Sequence, residues 1–516
     1  MDATVLATRN GVLDARDAEN LSALQRRLAA SESDILLHLH GGLVGEAAGR
    51  AIATRLGGDP PGGFGLSGDY EKVFIVWRTG VVESIGVHWT ELFENDRVYK
   101  VLLRQVLKFV ARKLSPVGVA AAGRGIGGDL TDEEIEAALS ARPAGDPFGH
   151  LDAALGAPTA GGRGPVRTAE SDQELRDELE IELATHPEVS TAAEDLAAAL
   201  ALQNTAARAP RVVGDPVVGQ AAFARLDRKA QSELLALAPR NEPARLVFTA
   251  AGAVSFLVEH GVQIALRIVG RYRAQRDHGL YATVVEELAR ELYGDLVGAT
   301  IWGFMKKDAA DPFGQAPDLV GATLVAALTD KPWKRLTITA HSAGSIWAAA
   351  LLKAIAALPQ PPTQPIDLVL LAPAVRMDLF AEALGAAAPL LGKVRLFTMH
   401  DALERADAVL GHKKGYIYPM SLLYLVSALF EERNSAAFVD APLLGMQRFL
   451  GGDPSWLEDE NQQSAIHTVQ AFFKEAGHDI VYAKQAGDSG FSTEADSHGG
   501  FDSEPVTLAS VAYFLK

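Results

Sequence analysis

Hydrophobic positions along the chain follow two rhythms. Short apolar runs that close on glycine or another small residue read as buried strands. They begin near Thr4 to Ala7 and recur over residues 34–42, 71–80, 336–340, 367–373, 394–399 and 479–483. Between them, apolar residues recur at helical spacing over 17–30, 45–56, 345–358, 379–391, 463–476 and 504–515. Asp502 and Ser503 are the expected caps of the last helix, with Pro505 in its first turn. Strands alternating with helices predict an α/β fold, a mostly parallel sheet flanked by helices.

The alternation stops after Gly80 and resumes near Lys334. Residues 1–80 and 331–516 are therefore expected to form one core, and 81–330 a large, mainly helical insertion between two core strands. Within it, helical patterns cover 97–114, 171–202, 254–271 and 280–305. Thr131 followed by Glu134 marks the start of a short helix. Glycine, proline and alanine dominate near 115–170, the composition of a mobile linker. No repeat of fixed period is present.

At 516 residues the chain is long for a single core, which agrees with a core plus an insertion. A formal charge of -17 argues against nucleic-acid binding. With no cysteine, disulfides, thiolate metal sites and a cysteine nucleophile are excluded. The N-terminus lacks a basic region followed by an apolar run, so no signal peptide is expected and the cytoplasm is the default location. The apolar windows at 250–269 and 418–430 are interrupted by Glu259 and His260 or are too short to span a bilayer, so no transmembrane segment is predicted.

Chemistry concentrates where strands end. Residues 340–344, Ala-His-Ser-Ala-Gly, fall between a β-prone run and an Ala/Leu-rich helical pattern. A serine on such a turn is lifted above the sheet, with helix N–H dipoles behind it. Ala340 stands where this motif usually carries its first glycine. The run at 34–42 ends in His40-Gly41-Gly42, whose backbone N–H groups could face a ligand. Leu43 shortens the glycine run. A second reading of this stretch pairs His38 with His40 as metal ligands on one strand face. Asp401 follows the strand at 394–399, and His498 lies between the final strand and the final helix.

In the order Ser342, Asp401, His498, with His40-Gly41-Gly42 and the turn at 340–344, the chain resembles the α/β-hydrolase superfamily, specifically its lipase- and esterase-like serine hydrolases. The likeness covers about residues 1–80 and 331–516. It implies Ser342 as nucleophile, His498 as base and Asp401 as orienting acid, with Gly41 or Gly42 and Ala343 donating to the oxyanion. Glu404 and Asp407 are rival acids in the same loop. His400, His467 and His478 are rival bases, and His341 is directed elsewhere in that fold. No metal or organic cofactor is implied.

The implied function is hydrolysis of a carboxylic ester or lipid acyl bond through an acyl-enzyme. Acyltransferase and peptidase chemistry use the same residues, and a non-catalytic binding scaffold is the reading from another class. The helix at 97–114 adds a question about location. Lys100, Arg104, Lys108 and Arg112 form one basic stripe beside Val98, Leu102, Val106, Phe109 and Val110. Such a helix suits peripheral contact with an anionic membrane. It equally suits packing its apolar side inward and pairing its charges with the chain's carboxylates. Oligomeric state is not readable from these residues.

Overall fold

The computed structural model describes residues 3–30, 33–42, 44–66, 70–77, 82–114, 130–140, 148–154, 170–203, 214–237, 250–294, 299–314, 316, 319–330, 333–407, 409, 417–431, 440–457 and 459–516. Much of the linker-like segment near 115–170 lies outside them, as does Leu43.

Eight strands build one sheet: β1 (Thr4–Arg9), β2 (Val12–Leu13), β3 (Asp34–Leu39), β4 (Tyr70–Trp77), β5 (Arg335–His341), β6 (Ile366–Leu371), β7 (Leu391–Met399) and β8 (His478–Ala483). Their order across the sheet is β2-β1-β4-β3-β5-β6-β7-β8. Every neighbouring pair is parallel except β1 with β2. That exception is a hairpin absent from the sequence reading. Asn10 and Gly11 turn it with φ of 50° and 76°, the left-handed pair that a tight two-residue hairpin requires.

The central strands are buried on both faces because helices cover both. Leu36, Phe74, Val369, Phe397 and Val481 face the helices Glu46–Leu56 and Pro505–Leu515. Their alternates Leu37, Ile75, Ile338, Leu370 and Leu396 face the larger core on the other side. There the helices Gly344–Ala356, Met377–Ala387 and Glu460–Phe472 pack in succession. The last helix is capped by Glu504, whose carboxylate accepts the N–H groups of Val506 and Thr507 at 2.7 Å each, rather than by Asp502 or Ser503.

Between β4 and β5 every described element is helical. Arg97–Leu114 is buried against Ala250–Arg273, Leu280–Leu292 and Pro187–Gln203. The run expected as one helix over 280–305 divides into Leu280–Leu292 and Ala299–Ala310. The first helix stops where the Leu292 carbonyl turns to accept the N–H of Asp227 at 2.8 Å, an acceptor used outside the helix. Val320–Thr329 packs on Ala18–Ala30 and on Gly344–Ala356, so it joins the layer around the sheet, although it falls before residue 331.

The basic stripe has a structural use. Arg104 pairs with Glu188 at 2.9 Å, Lys108 with Asp132 at 2.6 Å and Arg112 with Glu182 at 2.6 Å. Val98, Leu102, Val106, Phe109 and Val110 are all buried. The apolar face that a membrane would need is thus occupied by neighbouring helices, as in the inward-packing alternative. One described helix, Ala250–Arg273, is long and apolar enough to cross a membrane, but 61% of its most apolar window is buried within the protein.

Candidate active site

β3 and β5 are adjacent and parallel, with Leu39 opposite Ala340, so the turns that follow them lie side by side at the carboxyl edge of the sheet. Ser342 occupies the second turn with φ of 50°. For a residue with a side chain this costs on the order of 1–3 kcal/mol and needs enforcement from its surroundings. Four hydrogen bonds supply it: Ser342 N–H donates to the Leu371 carbonyl (2.9 Å), and the Ser342 carbonyl accepts from Ala374 N–H (3.1 Å), Ser345 N–H (3.0 Å) and Ser345 Oγ (2.6 Å). Gly344 is required by space. A Cβ there would stand 2.5 Å from the carbonyl oxygen of Leu39 and 2.8 Å from that of His40.

The first turn folds against this elbow. A Cβ on Gly41 would lie 3.4 Å from the Cβ of Ser342, and one on Gly42 would lie 3.0 Å from the Cβ of Ala343. Among the described residues, the N–H groups of Gly42 and Ala343 have no hydrogen-bond acceptor. His40 holds the turn from behind. Its Nδ1 meets the Gly41 carbonyl at 2.6 Å, and its Nε2 accepts Trp77 N–H at 3.3 Å, which fixes Nδ1 as the protonated nitrogen. Burial pushes His40 down to about 4 and His38 well below its ordinary value, so both are neutral. His38 Nδ1 is bonded to Thr339 Oγ1 at 2.8 Å. Both ring nitrogens of His40 are thus engaged, and no cluster of three or more metal-ligating side chains occurs among the described residues.

His498 Nε2 lies 2.8 Å from Ser342 Oγ. Both residues are 4% exposed. Burial, aided by the charge of His341, pushes His498 down to about 3, so its imidazole is neutral and can accept a proton. The His341 side chain is not directed away but packs beside the base: its ring lies 5.6 Å from that of His498, its Nε2 meets the His498 carbonyl at 3.1 Å, and its Nδ1 would stand 2.9 Å from a Cβ on Gly41. Of the rival bases, His400 bonds Gln447 and stacks on Tyr482, while His478 meets the Phe472 and Gly392 carbonyls. His467 is exposed on its helix.

The acid is where the geometry departs from the sequence expectation. Asp401 is held by other partners and makes no bond to His498 Nδ1: its Oδ1 accepts the hydroxyl of Tyr424, Arg448 Nη2 lies 3.6 Å from it, and its N–H donates to Gln447 Oε1 at 2.7 Å. Asp407, three residues beyond Glu404, is the carboxylate that reaches the histidine. Its Oδ2 accepts the backbone N–H of His498 at 2.7 Å. Glu404 is buried, and burial reinforced by the charges of Asp407 and Asp401 pushes its carboxyl well above the usual range, with neither of its oxygens hydrogen-bonded among the described residues. The Nδ1 of His498 is buried without a partner among the described residues.

Two contributors carry no motif. Met305, on the helix Ala299–Ala310, places its Cε 2.2 Å from the position of a Cβ on Gly42. Arg55, on the helix Glu46–Leu56, holds the end of the His498 loop by donating to the Asp502 carbonyl at 2.6 Å. Comparison with known proteins finds no matching family model, no matching curated protein and no matching solved structure.

Proposed function

We propose that this protein is a serine hydrolase of the α/β-hydrolase type, lipase- or esterase-like, that cleaves a carboxylic ester through an acyl-enzyme. One observation carries the reading: a serine in the left-handed conformation at a strand-to-helix turn, with its Oγ 2.8 Å from a buried neutral imidazole. On this reading, residues 81–330 are chiefly an insertion into the hydrolase core.

Ser342 Oγ attacks the acyl carbonyl carbon while its proton passes to His498 Nε2. The carbonyl oxygen becomes an oxyanion held by the free N–H groups of Ala343 and Gly42, with Gly41 keeping the turn close to the serine. His498 then protonates the departing alkoxide, leaving the acyl group on Oγ. Water, deprotonated by the same imidazole, releases the acid and restores the serine. We assign Asp407 as the orienting acid. It is bonded to the backbone N–H of the same histidine, and we place an Asp407–Nδ1 bond in the substrate complex, where catalytic hydrogen bonds tighten. Small-molecule or lipid esters are the proposed substrates, and the chemistry calls for no cofactor.

The unpartnered Nδ1 favours one second reading, a hydrolase-like scaffold that binds without turnover. A fluorophosphonate probe separates the two. Labelling of the wild type but not of Ser342→Ala supports the enzyme, whereas an unlabelled wild type leaves the scaffold.

A further inference from the structure

Resting on the acyl-enzyme reading, we infer that Met305 is the wall of the acyl subsite and limits the enzyme to short acyl chains. An acyl carbonyl bonded to Ser342 Oγ, with its oxygen between the Ala343 and Gly42 N–H groups, must send its substituent past this cradle. Met305 stands over it. Its Cε and Sδ would lie 2.2 and 3.8 Å from a Cβ on Gly42, and the residue is 2% exposed.

The helix that carries Met305 is fixed on both sides of it. Trp302 Nε1 donates to Glu431 Oε1 at 2.5 Å, and Lys306 Nζ donates to Glu431 Oε2 at 2.8 Å. Further along, Asp308 Oδ1 accepts the N–H of Gly11 at 3.3 Å. The same helix packs on Gly344–Ala356, the helix behind the nucleophile. The thioether is therefore held at a set position relative to the serine. An unbranched side chain of this kind can yield to a small acyl group, but a longer chain meets the helix behind it.

The test measures kcat/KM for p-nitrophenyl acetate, butyrate and octanoate with wild type, Met305→Ala and Met305→Leu, alongside fluorophosphonate labelling of Ser342. Wild type should prefer the short esters. Met305→Ala should raise the octanoate-to-acetate ratio about tenfold or more, since each methylene accommodated is worth roughly ten- to two-hundred-fold. Met305→Leu keeps the volume and should keep the ratio. If Met305→Ala does not fold, Met305→Val removes less and should shift the ratio in the same direction. A labelled wild type with an unchanged ratio in the truncated variant overturns the wall and leaves the hydrolase. An unlabelled wild type overturns both.

Discussion

The carboxylate of Asp407 accepts the backbone N–H of His498 at 2.7 Å, while the carboxylate of Asp401 is held by Tyr424. On the proposed mechanism, Asp407→Asn should lower kcat by on the order of 10²- to 10⁴-fold by disturbing the tautomer and placement of His498, with little change in Tm. Asp401→Asn retains an acceptor for Tyr424 and should lose less than about tenfold. Steady-state kinetics on both variants decides, and the reverse ranking would restore Asp401 as the acid.

Ser342 sits in a backbone region suited to glycine, and its Oγ serves His498. Ser342→Gly should abolish turnover and raise stability by about 1 kcal/mol through relief of strain. Calorimetry against wild type reads the effect. A lower Tm for the glycine variant would mean that the serine's contacts outweigh its strain.

Gly344→Ala should be damaging out of proportion to one methyl group, because that methyl would meet the carbonyls of Leu39 and His40. The close approach of the two site turns then has to open. A loss of about 1–3 kcal/mol is expected from overpacking, together with loss of probe labelling as Gly42 moves from Ala343. Labelling at the wild-type rate would show that the two turns need not touch.

Two pH responses follow from burial. His498, held near 3, is already unprotonated at pH 5, so kcat/KM, which reports the free enzyme, should show no fall between pH 8 and pH 5 assignable to it. A limb near pH 6.5 that disappears in a variant of the base's surroundings, such as His341→Gln, would contradict this.

Asp308 is shifted the other way, up to about 6, mainly by burial. Its folded form binds a proton between its ordinary value and 6 that the unfolded form does not. Stability therefore falls as pH rises through that window, by about 1.4 kcal/mol per unit at most. Asp308→Asn keeps an acceptor for Gly11 and should stabilise the protein at pH 8 but not at pH 4. Equal Tm changes at both values would rule out this titration.

The basic helix Arg97–Leu114 offers a test of location. With its apolar side buried and Arg104, Lys108 and Arg112 paired, Gln at positions 104, 108 and 112 should lower Tm modestly, as partly exposed pairs do. Sedimentation with anionic vesicles at low salt should not change. A loss of vesicle binding in the variant would revive the membrane role.

What could be read from the sequence was what local pattern encodes. Unbroken apolar runs located the long strands because both faces of the sheet are covered, and the Ala-His-Ser-Ala-Gly turn located the elbow because close approach allows only small residues. The Asn10-Gly11 hairpin carried a recognisable signal, but the strand after it is two residues long, too short for periodicity to show. The break after Leu292 was hidden because its carbonyl bonds a residue far away in sequence. Strand-end logic favoured Asp401 over Asp407. The Tyr424 hydroxyl that holds the Asp401 carboxylate could not be foreseen, because nothing local ties Tyr424 to that loop. Met305 had no motif, since its role depends on where its helix docks.

The adjacency of β3 and β5 also bears on synthesis. β3 ends at Leu39 and its neighbour begins at Arg335, so about 300 residues must leave the ribosome before that edge can be paired. At roughly 5–20 residues per second this takes about 15–60 s, during which an apolar strand edge stays open in the nascent chain. The helices encoded in between can form from local contacts sooner than the sheet can close. Protecting that edge, by a chaperone or by the early helices themselves, is then a condition for yield. A C-terminally truncated chain ending before β5 should aggregate through β3.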